Sequence, residues 1–212
     1  MADIINQLAG ASPELVQLRA RRPDALANAQ LSFQALLEPE EPGTFSYAQR
    51  YAVAAFLSGI YQAKSAGEFY GDLLADEATE TLQGAVQAAI EHGTTSGPYA
   101  APADISGEGA GFITFGEIAG LDERLAAAFD FAHLLAFHPK DASAEAIGHL
   151  QAAGWSEDDI VSLSQLIAFL SFQLRVIHGL KVLGGDESTA PETTRIEGAS
   201  DPGWQLHEHT LS

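Results

Sequence analysis

The side chains with the clearest chemical potential lie on one predicted helix near the end of the chain. From Gly154 to Gly179 the sequence reads GWSEDDIVSLSQLIAFLSFQLRVIHG. Two apolar stripes at helical spacing predict that this helix is largely buried. Beside them runs a third line made of Ser164, Ala168, Ser171, Arg175 and His178. This line is either a reaction site or the solvated edge of a core helix.

Arg175 and His178 are the two residues of this line whose side chains could take part in a reaction. If the line faces inward, Arg175 needs a carboxylate partner, because an unpaired buried charge costs several kcal/mol. Arg175 could then hold the carboxylate of a substrate while His178 moves protons. If the line faces outward, both side chains are simply solvated. The sequence leaves both interpretations open.

Two further residues, His133 and Tyr70, could also move protons, but no ordered catalytic set surrounds them. His133 and His138 are five residues apart on one predicted helix, so they point in different directions, and no HExxH sequence is present. Tyr70 stands between Glu68 and Asp72, a pattern that an exposed helix edge also gives. We predict no metal site and no bound cofactor. The candidate catalytic residues are Arg175, His178, His133 and Tyr70.

The composition restricts function mainly through the absence of cysteine. Without sulfhydryl groups the chain has no disulfide, thiolate metal ligand or thiol nucleophile. The formal net charge is −19, from 29 acidic residues against 10 Lys and Arg, and it repels nucleic acid and anionic lipid. No secretory signal opens the chain, and its uninterrupted apolar runs, such as 166–170, are too short to span a bilayer. We therefore expect a cytoplasmic protein without nucleic-acid or membrane partners.

Helical periodicity dominates the sequence and predicts an all-α bundle. Ser46 and Gln49 have the spacing of a capping box at the start of a long helix within 45–74, which Gly59 and Gly67 are expected to bend or split. The other predicted helices lie near Ile4–Leu8, from Pro13, at Pro23–Leu37, Glu77–His92, Leu121–His138 and Ser143–Ala153, and from Ser156 to Leu183.

The chain is predicted to have an N-terminal helical arm (1–44), a helical core (45–183) and a polar tail (184–212). Within the core, two lobes at about 45–92 and 121–183 are joined by a connector rich in Gly and Pro, 93–120. The tetrapeptide AFLS occurs once in each lobe, in a helix that begins with an aromatic residue and a capping Ser. This pattern favours two pseudo-repeated helical lobes.

The second half of the chain carries a family resemblance. DFAHLLAFHPKDASAEAIGHLQAAGWSEDDIVSLSQLIAFLSFQLRVIHGL resembles the C-terminal half of the alkylhydroperoxidase D-like proteins, in the peroxidase-related branch of the carboxymuconolactone decarboxylase superfamily. FSYAQRYAVAAFLSG, with Ser46 as its cap and Arg50 one turn later, resembles the first core helix of that family. The resemblance covers roughly 45–183. It implies a helical bundle with internal pseudo-symmetry that assembles as homo-oligomers.

The chain departs from this family at the redox site. Redox members reduce peroxides through a Cys-x-x-Cys pair that a Glu and a His assist. Counted from Arg50, the Glu position falls on Tyr51, the two Cys positions on Ala63 and Ala66, and the His position on Tyr70. Thiol peroxidase chemistry is therefore excluded.

Three functional hypotheses remain open. The first is a non-peroxidatic oligomeric scaffold, or a partner subunit for a redox-active, cysteine-bearing relative. The second is a cofactor-independent acid–base enzyme, with decarboxylase or lactone-type chemistry around Arg175 and His178, as the resemblance to the decarboxylases implies. The third is a binder of a small acidic or aromatic molecule, which uses the space left by Ala63, Ala66 and Tyr70.

Overall fold

The computed structural model describes residues 3–94 and 113–185, and every regular element in these two ranges is a helix. The all-α prediction is therefore confirmed. Most of the predicted connector (95–112) and the polar tail from residue 186 lie outside the described residues. The helices are α1 (Ile4–Ala9), α2 (Pro13–Ala20), α3 (Pro23–Leu37), α4 (Tyr47–Ile60), α5 (Lys64–Glu77), α6 (Glu80–Gly93), α7 (Glu123–Phe137), α8 (Ala144–Ala152) and α9 (Glu157–Leu183), with a 3₁₀ turn at Pro139–Asp141.

Most of these helices have a polar residue at the N-cap. Its side chain accepts a hydrogen bond from a backbone N–H of the first turn that would otherwise be unpaired. The capping box predicted at the start of α4 is present: Ser46 Oγ accepts from the N–H of Gln49, and the N–H of Ser46 donates to Gln49 Oε1. Ser156 caps α9 through the N–H of Asp159. The further capping residues are Asp3, Ser12, Thr79, Asp122 and Ser143.

The long helix predicted within 45–74 is split, as expected, but the break falls after Gly59 rather than on it. Gln62 adopts a left-handed conformation (φ 56°), which ends α4, and α5 restarts at Lys64. Gly59 instead permits close packing, because a Cβ there would lie 2.6 Å from side-chain atoms of Ile90 on α6. Gly67 lies inside α5 without interrupting it.

Helices α4 and α9 form the centre of the bundle. α4 packs against α5, α6, α7 and α9, while α1, α3, α7 and α8 also contact α9. The stacked rings of Phe56 on α4 and Phe129 on α7, with centroids 4.2 Å apart, join the two predicted lobes. α5 runs antiparallel to α9, since Lys181 Nζ donates to Ser65 Oγ at one end and Tyr70 meets Gln173 further along.

An ion-pair network holds together the starts of α4, α7 and α9. The Arg124 guanidinium on α7 donates to Asp159 Oδ2 (2.8 Å) and lies over the Trp155 ring, 4.2 Å from its centroid. Thr44 Oγ1 donates to the same carboxylate oxygen at 2.6 Å. Burial opposes ionisation of Asp159, but the hydrogen bonds from Thr44, Arg124 and Ser156 prevail and lower its pKa.

Helix α9 is long and apolar enough, by length and composition, to cross a membrane. More than half of its most apolar window is buried within the bundle, which is typical of the core helix of a soluble protein.

Candidate functional site

The position that the resemblance assigns to the histidine of the redox site is occupied by Tyr70, deep in the bundle. α5 turns Ala66, Tyr70 and Leu74 inward at helical steps, and all three are buried. The Tyr70 hydroxyl donates to Gln173 Oε1 on α9 at 2.5 Å, and both residues are fully buried. Burial raises the pKa of Tyr70, and the bond to Gln173 offsets only part of this rise. The phenol therefore stays protonated and acts as a donor, not as a base.

Two buried side-chain atoms in this region, one of them in Gln173 itself, have no hydrogen-bond partner among the described residues. They are Nε2 of Gln173 and Oγ of Ser58 on α4. Ser58 faces α5, because a Cβ added at Gly67 would lie 4.0 Å from the Cβ of Ser58. Around the turn of α5 from Gly67 to Tyr70, the helices α4, α5 and α9 thus each contribute one buried polar side chain. We name this set, Ser58, Tyr70 and Gln173, the interior polar cluster.

The remaining positions assigned to the redox site are apolar or aromatic. Ala63 stands at the N-cap of α5, and Ala66 is fully buried one turn before Tyr70. Tyr51, at the Glu position, is buried on α4, with its ring stacked on that of Tyr47 at 6.2 Å between centroids. This arrangement contains neither a nucleophile nor a carboxylate.

The line that includes Arg175 and His178 faces outward, so the solvated-edge interpretation describes it. Both residues are exposed. Arg175 Nη1 donates to the carbonyl of Ser171, and Nη2 donates to the Tyr61 hydroxyl, each at 3.1 Å. No ion pair forms between Arg175 and a carboxylate in the described ranges. Arg175 is thus held by neutral partners on an open face.

His133 lies in a different part of the bundle. Its side chain on α7 is buried, with Nε2 at 3.2 Å from the carbonyl oxygen of Gly93 and the rings of Phe115 and Phe137 beside it. Burial lowers the pKa of His133, and the bond to Gly93 opposes this effect. In the described ranges, no hydrogen bond, ion pair or ring contact joins any two of the four candidates predicted from the sequence.

The prediction that both apolar stripes of α9 are buried was only half correct. The first stripe is buried throughout; it consists of Ile160, Leu163, Ile167, Leu170, Leu174 and Ile177. The second consists of Phe169, Phe172, Val176, Leu180 and Leu183. In this second stripe, Phe172 is 47% exposed and Leu183 is 67% exposed. They add to an exposed surface on one side of the helix. We define the α9 outer face as the following exposed residues: Val161, Ala168, Phe172, Arg175, Val182 and Leu183.

The sequence did not lead us to Gln173, which accepts the Tyr70 hydrogen bond in the interior polar cluster. A signal was present, because Gln173 falls between Leu170 and Ile177 at steps of three and four, on the buried side of α9. A polar residue at such an apolar position predicts a buried hydrogen-bond partner.

Comparisons with known proteins support the fold alone. No family model and no curated protein matches this sequence. Among solved structures, the chain is similar to the debrominase Bmp8, crystallised as a cysteine-to-alanine variant in complex with 2,3,4-tribromopyrrole. The TM-score is 0.52 at 17% sequence identity, and the match covers 86% of each chain. The chain therefore shares a helical fold with this debrominase over most of its length.

Proposed function

We propose that this chain is a non-peroxidatic, alkylhydroperoxidase D-like protein that acts as an oligomeric scaffold or partner subunit in the cytoplasm. The observation that carries the proposal is the closed interior polar cluster. Where redox relatives need an attacking thiolate and a proton carrier, this chain has Ala66 packed beneath a buried Tyr70–Gln173 hydrogen bond. The shared fold with a debrominase and the sequence resemblance support membership in the wider superfamily.

The α9 outer face supports the assembly part of the proposal. Of the seven large apolar residues exposed in the described ranges, four belong to α9, namely Val161, Phe172, Val182 and Leu183. Between Val161 and Val182 the face carries Arg175 and no carboxylate; the exposed Glu157 and Asp158 lie one turn before Val161, and the chain has a net charge of −19. Two such acidic chains approach with least repulsion through a stretch without acids. A second copy of this chain is therefore the proposed occupant, in a self-complementary contact centred on Phe172.

Light scattering after size-exclusion chromatography tests this contact. The wild-type protein is expected to be oligomeric at micromolar concentration, whereas Phe172→Asp is expected to be monomeric with an unchanged helical circular-dichroism spectrum. Leu31→Asp is the matched control, because Leu31 is also exposed (60%) but lies on α3. A Phe172→Asp variant that assembles like the wild type would contradict the role of this face.

The catalytic half of the proposal has its own assay. Purified protein with a dithiol donor and an organic hydroperoxide is expected to show no turnover above the buffer, because no thiolate exists to attack the peroxide. Sustained turnover would refute the non-peroxidatic assignment. If the wild type is monomeric alone but forms a stoichiometric complex with a cysteine-bearing relative, the partner-subunit form of the proposal is favoured over the homo-oligomer.

The acid–base alternative has less support. Arg175 and His178 are exposed, and the contacts of Arg175 are Tyr61 and Ser171 rather than the walls of a pocket. An enzyme of this kind needs a water-excluding site around its reacting groups.

A further inference from the structure

A cavity of about 260 Å³ lies between α7, α8 and the segment that enters at Ile113. It is separate from the interior polar cluster and from the α9 outer face, since it shares no lining residue with either. Most of its lining surface is apolar, and the apolar side chains come from three sides: Ile113, Ala127, Phe131, Leu134 and Ala146. This volume is slightly below the range of typical drug-sized pockets, about 300–1,000 Å³, and suits a small molecule.

Of the three carboxylates that line the cavity, that of Asp130 stands between the apolar side chains of α7. α7 carries Ala127, Phe131 and Leu134 within one turn of it, and the backbone N–H of Phe115 donates to its Oδ1 at 2.8 Å. This bond fixes the side chain. A carboxylate that a backbone N–H holds in place in a largely apolar cavity is a recognition element for a donor or a cation.

The charge around the cavity favours a cation. Asp141 and Glu145 line the cavity with Asp130, against a single basic side chain, His149. Burial raises the pKa of Asp130, while the Phe115 N–H and His149 act in the opposite direction. The carboxylate is half-buried, and a positively charged partner would stabilise its ionised form. An acidic ligand would instead meet three carboxylates.

A metal ion is a poor match for this charge. No group of three or more His, Asp or Glu side chains in the described ranges is arranged to hold a metal. Most of the wall consists of carbon atoms, which offer a metal no ligand but offer an organic molecule a contact surface.

We propose that this cavity binds a small primary amine with an aromatic or branched aliphatic body, whose ammonium group pairs with Asp130 while the body packs on Phe131, Leu134 and Ile113. This proposal does not depend on the proposed scaffold function. It gives the chain a ligand site apart from the interior polar cluster, whose three residues are fully buried.

Isothermal titration calorimetry of the full chain with phenethylamine tests this site. The amine is expected to bind saturably with one site per chain. 2-Phenylethanol has nearly the same shape without the charge, and is expected to bind at least about tenfold more weakly. 3-Phenylpropionate, which reverses the charge, is expected not to bind. Absence of amine binding, or equal binding of the alcohol, would overturn the proposal.

Two variants and one control locate the interaction. Asp130→Asn keeps an acceptor for the Phe115 N–H but removes the charge, and should weaken amine binding at least about tenfold. Ala146→Leu fills part of the cavity and should also abolish binding. Glu123→Gln removes the same charge from the exposed start of α7, outside the cavity, and should leave the affinity unchanged. Equal affinities in Asp130→Asn and Glu123→Gln would refute the assigned anchor.

Discussion

Replacement of Tyr70 by Phe tests whether the interior polar cluster is a structural element. The variant keeps the ring but removes the hydroxyl that donates to Gln173 Oε1 at 2.5 Å. Gln173 is fully buried and its Nε2 already lacks a partner, so the change leaves the whole side-chain amide unsatisfied. A buried polar group without its partner costs about 1–3 kcal/mol. The melting temperature of a domain of this size falls by roughly 2–4 °C for each kcal/mol.

A double-mutant cycle with Gln173→Leu separates the hydrogen bond from general packing effects. Gln173→Leu removes the unpartnered Nε2 together with the acceptor, so the Tyr70→Phe/Gln173→Leu protein should be at least as stable as Tyr70→Phe alone. The measurement is the free energy of unfolding from urea denaturation of all four proteins. Independent sites add to within about 0.5 kcal/mol. Additive costs, or an unchanged stability of Tyr70→Phe, would refute the structural role of this pair.

Two further predictions concern charge and pH. Asp159→Asn should lower the free energy of unfolding at neutral pH by about 1.5–3 kcal/mol, because Arg124 and Thr44 lose a charged acceptor. The pKa of Asp159 is lower in the folded than in the unfolded protein, so its stabilising contribution is present above the unfolded-state pKa and is lost as the pH falls. The free energy of unfolding of the variant should therefore depend less steeply on pH in the acid range. Urea denaturation at several pH values measures this dependence. His133 is buried with a lowered pKa, so the unfolded chain binds its proton first and stability should fall as the pH drops below about 6.5. His133→Phe should reduce that slope, and an unchanged slope in this variant would contradict the assignment.

Local sequence signals were sufficient to predict the helices. Pro23 at the first turn and Leu37 before a Pro-rich stretch mark α3, and the Ser46 and Ser156 caps mark α4 and α9. These signals act through backbone N–H groups within four residues, so they do not depend on the tertiary structure. For this reason the all-α fold could be predicted without knowledge of the packing.

The candidate site could not be predicted in the same way, because it depends on which side of each helix meets a neighbour. α9 has apolar residues on most of its circumference, so the spacing that places Gln173 on the buried side does not show that its neighbour Phe172 faces outward. The contacts with α4 and α5 decide this, and they bury Gln173 and expose Phe172. Asp130 shows the same difficulty, since the chain segment at Phe115 that fixes its carboxylate is fifteen residues away.

Among the described residues, Tyr70, His133 and Asp130 each have a shifted pKa, but they differ in their access to a ligand. Tyr70 holds its proton more tightly than a free phenol does, and it gives its hydrogen bond to Gln173 inside a closed core. His133 resists protonation and contacts a backbone carbonyl. The carboxyl of Asp130 has its pKa raised by burial, and it lines the cavity of about 260 Å³ for which we propose an amine ligand. A general acid or base needs both a shifted pKa and access to a ligand, and Asp130 combines the two. If the amine site is confirmed, a chemical role for this chain should therefore be sought between α7 and α8, and not at the position of the missing thiols.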